Sequence, residues 1–147
     1  KKEGIGMKFT IGKNLLLENL SNVVKAISTK NIIPILNGVK FELNEDGLYL
    51  SASDTDISIR CLIPTSDIVE VKDYGSIVIG GKYIVEIVKK LPNTNITIEV
   101  MDGHKMIVST DNTEFNLMVD RFIKKDKMDN CYLGFFNTKT VFKVKNS

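Results

Sequence analysis

The chain has 147 residues, 43% of them hydrophobic and 26% charged, with a formal net charge of +2. That suits one ordinary domain with a useful core, or two very small ones, and is too apolar for disorder. It has no apolar run near the roughly 18–20 residues that span a bilayer and no secretory h-region; its one histidine and two distant cysteines exclude a multi-His metal site, a zinc knuckle and a disulfide scaffold, leaving a cytoplasmic protein with little equipment for catalysis.

Residues 1–6 precede Met7-Lys8-Phe9-Thr10-Ile11, which has the form of a translation start, and are read as a cloning remnant outside the fold. Lys8–Ile11 alternates polar and apolar and predicts a short strand. Asn14 stands where an N-cap belongs, with Glu18 in the first turn facing the positive helix end. Leu16, Leu20, Val23 and Ile27 then form one apolar stripe, with Leu17 and Val24 beside it, which predicts an amphipathic helix of about four turns. Ser28-Thr29-Lys30-Asn31 and Pro34 end it.

Three strands come next. Val39, Phe41 and Leu43 alternate with Lys40 and Glu42, and Asn44-Glu45-Asp46-Gly47 supplies a turn. Leu48, Leu50 and Ala52 mark the second strand, and Ile57, Ile59, Cys61 and Ile63 the third. Cys61 is in phase with the isoleucines and reads as a small buried hydrophobe.

The order then recurs. Ser76–Ile79 predicts a strand, and Gly80-Gly81 opens a helix with apolar positions Ile84, Ile87, Val88 and Leu91 that Pro92 stops. Ile96, Ile98 and Val100 alternate, Asp102-Gly103 turns the chain, and Met106 and Val108 return. After a turn at Asp111-Asn112, Phe115, Leu117 and Val119 form a last strand. Residues 7–64 and 68–119 thus share one order, an internal duplication of βαβββ units with a period of about 65 residues. Neither half can bury both its helix face and its sheet face alone. The expected fold class is α+β, with two helices packed on an antiparallel sheet.

Catalytic constellations are missing. No P-loop, nucleophile elbow or His-Glu-x-x-His run is present. Gly80-Gly81-Lys82 has the outline of a phosphate cradle but lacks the upstream glycine and the Ser/Thr after the lysine. His104 falls in a hairpin turn. Asp54 and Asp56 could pair as an acid/base site, yet aspartates at a strand start are ordinary turn-formers. No metal or cofactor is implied.

Five blocks carry a resemblance: Met7–Ile11 with the Leu-rich first helix, Ile33-Pro34-Ile35-Leu36, Ser51-Ala52-Ser53-Asp54-Thr55-Asp56-Ile57, Ile87-Val88-Lys89-Lys90-Leu91-Pro92, and Phe115-Asn116-Leu117. In register over Met7–Val119, they resemble the first domain of the bacterial DNA polymerase III beta subunit, the sliding clamp. The resemblance implies a domain from a homodimeric ring of three-domain chains, with helices lining the hole and strands outside. It implies duplex DNA and other clamp subunits as partners, no catalysis of its own and no membrane. Polymerase and clamp loader would dock on domains that this chain lacks.

By position, the resemblance implies DNA contacts for Lys30, after the first helix, and Lys82, at the start of the second. Lys89, Lys90, Lys25 and Lys13 lie on or near the same helices and are further candidates. Phe115 and Leu117 align with apolar residues of an edge strand that meets the partner chain. The alternative is that one or both point into this domain's own core. The sequence departs from the family here, because Asn112 and Glu114 replace arginines of members such as the enterobacterial clamp, and Tyr83, also counted with the ring contact, replaces a lysine.

The larger departure is the end. Residues 1–119 carry 13 Lys/Arg against 15 Asp/Glu, a net of −2, and residues 120–147 carry 7 against 3, a net of +4. Asp120–Asn130 lacks the proline of the family's interdomain linker, and Cys131–Phe136 has no recognised counterpart. Val141–Val144 resembles the opening strand of a second domain. Residues 120–147 are therefore expected to be a divergent basic tail, a linker plus the start of a truncated domain. Two functions are open: a clamp domain that contacts duplex DNA as part of a ring, or a free-standing module or inactive fragment that pairs with a full clamp through its edge strand.

Overall fold

The first half of the chain comprises β1 (Met7–Gly12), α1 (Lys13–Val23) with a 3-10 turn at Val24–Ala26, β2 (Gly38–Asn44), β3 (Gly47–Ser53) and β4 (Ser58–Pro64). After a second 3-10 turn and β5 (Glu70–Asp73), the order repeats with β6 (Gly75–Gly80), α2 (Gly81–Lys89), β7 (Asn95–Met101), β8 (Lys105–Ser109) and β9 (Thr113–Asp126). Beyond it are β10 (Cys131–Phe136) and β11 (Val141–Val144). The computed structural model describes residues 6–27, 38–53, 56–101, 105–126, 131–136 and 141–144, with side chains through Asn116 except Lys105.

Each half lends its first strand to the other. β1 pairs antiparallel with β7, from Met7 opposite Val100 to Gly12 opposite Asn95. β6 likewise pairs antiparallel with β2, from Gly38 opposite Gly80 to Leu43 opposite Gly75. The two sheets are β4-β3-β2-β6 and β9-β8-β7-β1-β5, joined by β10, whose pairing with β6 is parallel. Exchanging the first strands means that neither half can leave without breaking a ladder of the other.

Alternation decides which face is buried. Met7, Phe9 and Ile11 of β1, Val39, Phe41 and Leu43 of β2, and Ile96, Ile98 and Val100 of β7 point inward and are buried. The helices cover that face through Leu16, Leu20 and Val23 of α1 and Ile84, Val85, Ile87 and Val88 of α2. Phe9 and Phe41 are fully buried, each a contribution of about 1.5–3 kcal/mol by area transfer.

Both helices start directly from a strand, and this corrects the expected N-cap. Gly12, in extended backbone, is the N-cap of α1, and Asn14 lies inside the helix. β1 stays paired with β7 as far as Gly12, and the Lys13 backbone N–H donates to the Thr94 carbonyl at 2.9 Å. One of the four helix donors that would otherwise be orphaned is thus satisfied by a loop. Glu18 falls beyond the first turn. The helix is also shorter than expected, about three turns, with the 3-10 turn in place of a fourth.

Among the described residues, Gly47 is the one whose backbone requires glycine, at φ 136°, where a Cβ would collide with the Ile63 carbonyl. It starts β3 opposite Pro64, and the Thr65 N–H closes the corner on the Asp46 carbonyl at 3.2 Å.

Cys61 is half-buried rather than buried, and Ile57, expected inside, is 54% exposed. The cause is topological: β4 is an end strand of the sheet, so Ile59 and Cys61 pack against the core only partly buried, and Ile63 is its one buried member. β5 has no counterpart among the expected strands. Its Glu-Val-Lys-Asp sequence carries no apolar alternation, and pairing with β1 alone makes it a strand.

Candidate nucleic-acid interface

α1 and α2 lie side by side and antiparallel, because the N-terminus of each meets the C-terminal end of the other. A Cβ on Gly81 would stand 2.6 Å from Ile27 Cδ1 and 2.9 Å from Val39 Cγ2. The glycine therefore gives room to the end of α1 and to β2, and the Gly80-Gly81 step is filled by protein instead of cradling a phosphate. At the opposite end, Lys13 Nζ donates to the carbonyls of Leu91 at 2.7 Å and Lys89 at 3.3 Å.

The helix surfaces turned away from the sheet expose Asn14, Glu18, Asn22 and Lys25 on the first helix and its following turn, and Lys82, Glu86, Lys89 and Lys90 on the second. Over residues 13–27 and 81–91 this layer holds five lysines against two glutamates. The ammonium groups of Lys25, Lys82 and Lys90 have no ion-pair or hydrogen-bond partner among the described residues. Lys89 is held by Glu86 at 3.5 Å, an exposed pair one turn apart.

The opposite, strand face handles its lysines differently. Lys8 meets Glu99 at 3.8 Å, Lys40 meets Glu42 at 3.8 Å and Lys72 meets Glu70 at 3.7 Å. A shallow groove on this face is lined by Lys8, Lys72, Glu70, Glu99, Asp111 and Glu114 among others, with carboxylates in excess. The described lysines of the strands are thus paired with carboxylates, while on the helix layer Lys25, Lys82 and Lys90 have no carboxylate partner among the described residues.

Lys82, Lys89 and Lys90 therefore share one surface, with Lys25 on the neighbouring element. Lys30 lies outside the described residues, as do Asp54 and His104. Asp56 is exposed, and no cluster of His, Cys, Asp or Glu able to hold a metal occurs among the described residues. Lys13 differs from these candidates, since its ammonium is engaged at the end of α2. A lysine at a helix start gives no local sign that it caps another helix.

Of the three residues expected at the ring contact, the two whose side chains are described, Phe115 and Tyr83, are not exposed. Phe115 is 7% exposed and belongs to the core, so it takes the alternative of pointing inward. Its backbone pairs with Val108 of β8 and with Phe142 of β11. Leu117 pairs with Met106 through its backbone, and its side chain is outside the described set. Tyr83 is half-buried on α2, packed against the core. Of the positions read as departures from the resembled family, Glu114 accepts a hydrogen bond from Asn116 Nδ2 at 2.9 Å, and Asn112 Oδ1 accepts one from Thr113 at 3.2 Å.

Known proteins share this architecture. Residues 7–122 match the family described as DNA polymerase III beta subunit, N-terminal domain. The beta sliding clamp of Bacillus subtilis is 43% identical over 115 residues, and that of Staphylococcus aureus 35%. In each case the match covers 76% of this chain and 30% of the relative, so the chain spans about a third of the length of its curated relatives. Among solved structures, the DNA polymerase sliding clamp of Bacillus subtilis superposes with a TM-score of 0.71 at 42% identity, covering 76% of this chain and 30% of that one. The beta subunit from DNA polymerase of Streptococcus pyogenes gives 0.70 at 30% identity, covering 76% and 29%. The duplicated fold, the helix layer and these matches together show that the chain belongs to the DNA polymerase III beta subunit family, through its N-terminal domain.

Proposed function

We propose that the chain is the DNA-facing N-terminal domain of a sliding clamp, a non-catalytic processivity factor of the replicative DNA polymerase III in the cytoplasm. It contributes to a ring of clamp subunits that holds duplex DNA. The observation that carries this reading is the contrast between the two faces: three lysines unpaired on the helices, three paired with carboxylates on the strands. A clamp that slides needs contacts that hold phosphates and read no bases. Scattered ammonium groups on a helix surface meet that need, since phosphate contacts add affinity without sequence information. The overall acidity of residues 1–119 is no obstacle, because the field near the helices decides what that face attracts.

Lys82 is the leading contact. It is the second residue of α2, exposed on the helix face and with its ammonium unpaired among the described residues. Lys90, Lys89 and Lys25 extend the surface, and Lys30 joins them by its position after α1. No cofactor or metal enters. Polymerase and clamp-loader contacts belong to parts of the family's chain beyond this domain.

The test is duplex association against salt, read by fluorescence anisotropy of a labelled duplex. Lys82→Glu/Lys90→Glu is expected to weaken binding and lower the slope of log K against log salt by about 2, near 0.9 per lost phosphate contact. Lys40→Glu/Lys72→Glu, on the strand face, is the matched control and leaves the slope unchanged. Equal effects from the two pairs would overturn the assignment of the DNA face.

A further inference from the structure

At 14 residues β9 is the longest of the described strands, and the chain beyond it runs back along it. Cys131 lies opposite Asp126 and Val144 opposite Thr113, so both arms advance thirteen residues between the first pair and the last. β10 and β11 are thus two parts of one return arm, and the register slips within β10 are made up before β11 begins. Glu114, Phe115 and Asn116 pair with Ser109, Val108 and Ile107 of β8 on one side, and with Lys143, Phe142 and Val141 of β11 on the other. A strand has only two hydrogen-bonding edges. β9 is therefore interior at these positions, closed by the chain's own tail.

The two parts of the arm are held unequally. β10 is gripped between β9 and β6, through Tyr132 opposite Ile77 and Leu133 opposite Val78. β11 is four residues long and, among the described residues, pairs with β9 alone. It is the more weakly paired part. At one end of the sheet, β4 stays open: seven residues, paired among the described residues with β3 only, with Leu62 43% exposed. An open strand of that length is a template for another strand.

We infer that β11 is a removable cap on β9, and that the strand it excludes is β4 of a second copy of this chain. While β11 is seated, no other strand can add at Glu114–Asn116. When it leaves, the freed edge of one molecule takes the open edge of the next, a head-to-tail contact that can propagate or close. The inference deepens the ring reading and rests on it, since it states what controls strand pairing between subunits.

The experiment uses the full chain, with mass followed against concentration by sedimentation. Phe142→Pro/Lys143→Pro removes N–H groups from neighbouring residues, which point to opposite sides of a strand, so a donor to β9 is lost in either phase. The wild type is expected to stay at monomer mass while the variant rises to at least twice that mass. Adding Leu62→Lys to the variant returns it to monomer. Self-association of the wild type over the same range, a variant that stays monomeric, or association indifferent to Leu62→Lys would each overturn the inference.

Glu114→Cys/Lys143→Cys tests the seating separately, and decides alone should the proline variant lose its fold. Opposed in register, these positions should form a disulfide under mild oxidation, mapped by peptide mass, and the locked chain should remain monomeric. A folded chain that does not cross-link, or a locked chain that associates, contradicts the cap. Duplex binding is a separate readout: loss of the helix-face salt effect with these results intact removes the DNA reading and leaves the cap.

Discussion

The ammonium of Lys13 lies 2.7 Å from the carbonyl oxygen of Leu91, joining the first residue of one helix to the end of the other across 78 positions of sequence. The Lys89 carbonyl is the second acceptor, at 3.3 Å. Carbonyls at the end of a helix lack intrahelical donors and carry its partial negative charge, so a cation there is doubly favoured. Together with the backbone bond from Lys13 to Thr94, this fixes the relative position of the two helices that carry the lysines proposed to face DNA.

Lys13→Met keeps most of the stem and removes the donor. Chemical denaturation is expected to show a loss of about 0.5–1.5 kcal/mol, the usual worth of such a bond with its helix-end charge. The salt slope for duplex DNA should not change. A stable variant with a reduced slope would return Lys13 to the DNA contacts.

Gly81→Ala places a methyl group against Ile27 Cδ1 and Val39 Cγ2. Overpacking of this kind costs about 1–3 kcal/mol. Since the nearest atom is the tip of Ile27, Ile27→Val in the same chain should recover part of the loss, and a double-mutant cycle in urea measures that coupling. Strict additivity would contradict the close approach of the helix ends.

Glu86→Gln removes the carboxylate 3.5 Å from Lys89. An exposed pair contributes little to stability, so the fold should hold its denaturation midpoint. Duplex association at low salt should rise by about twofold, because a phosphate no longer competes with Glu86 for the ammonium. Anisotropy titration reads this, and unchanged or weaker binding would count against Lys89.

Tyr49 provides a pH signature on the strand face. Its hydroxyl donates to Asp46 Oδ2 at 3.1 Å, and this bond raises its pKa above the ordinary tyrosine value, with Arg60 stacked 4.0 Å from the ring centroid pulling the other way. The folded state thus favours the protonated phenol. Its contribution to stability is present below the unfolded pKa, near 10, and is lost as pH rises through the higher folded value. Tyrosinate absorbance should show one group titrating earlier in Asp46→Asn than in the wild type. An identical titration curve would refute the bond.

Much of the fold was legible because alternation and helical spacing are local signals. Phe9, Phe41 and Ile98 are buried where the period of two places them, and Leu16 and Ile84 where the helix stripe does. What escaped is non-local. The exchange of β1 and β6 between the halves leaves no trace within either strand, because only the partner differs. Cys61 and Ile57 carry a core pattern and lie on or beside an end strand, which no local pattern reveals. The proposed DNA face was legible in part: Lys82 came from resemblance and Lys89 and Lys90 from their place on the same helix, while the lack of ammonium partners for Lys82 and Lys90 and the engagement of Lys13 needed coordinates. Phe115 read as an interface residue through the resemblance, and the pairing with β11 that makes its strand interior is a non-local contact that no local pattern reveals.

Everything proposed for function turns on the helix face, and not the strand face, meeting duplex DNA. Amide chemical-shift mapping of the labelled chain against a short duplex separates the two faces residue by residue, with a second duplex of unrelated sequence as comparison. Shifts are expected at Gly81–Leu91 and around Lys25, the same for both duplexes, and none at Lys40 or Lys72. Shifts confined to the strand face, or a pattern that changes with the duplex sequence, would contradict the DNA-facing role of the helices.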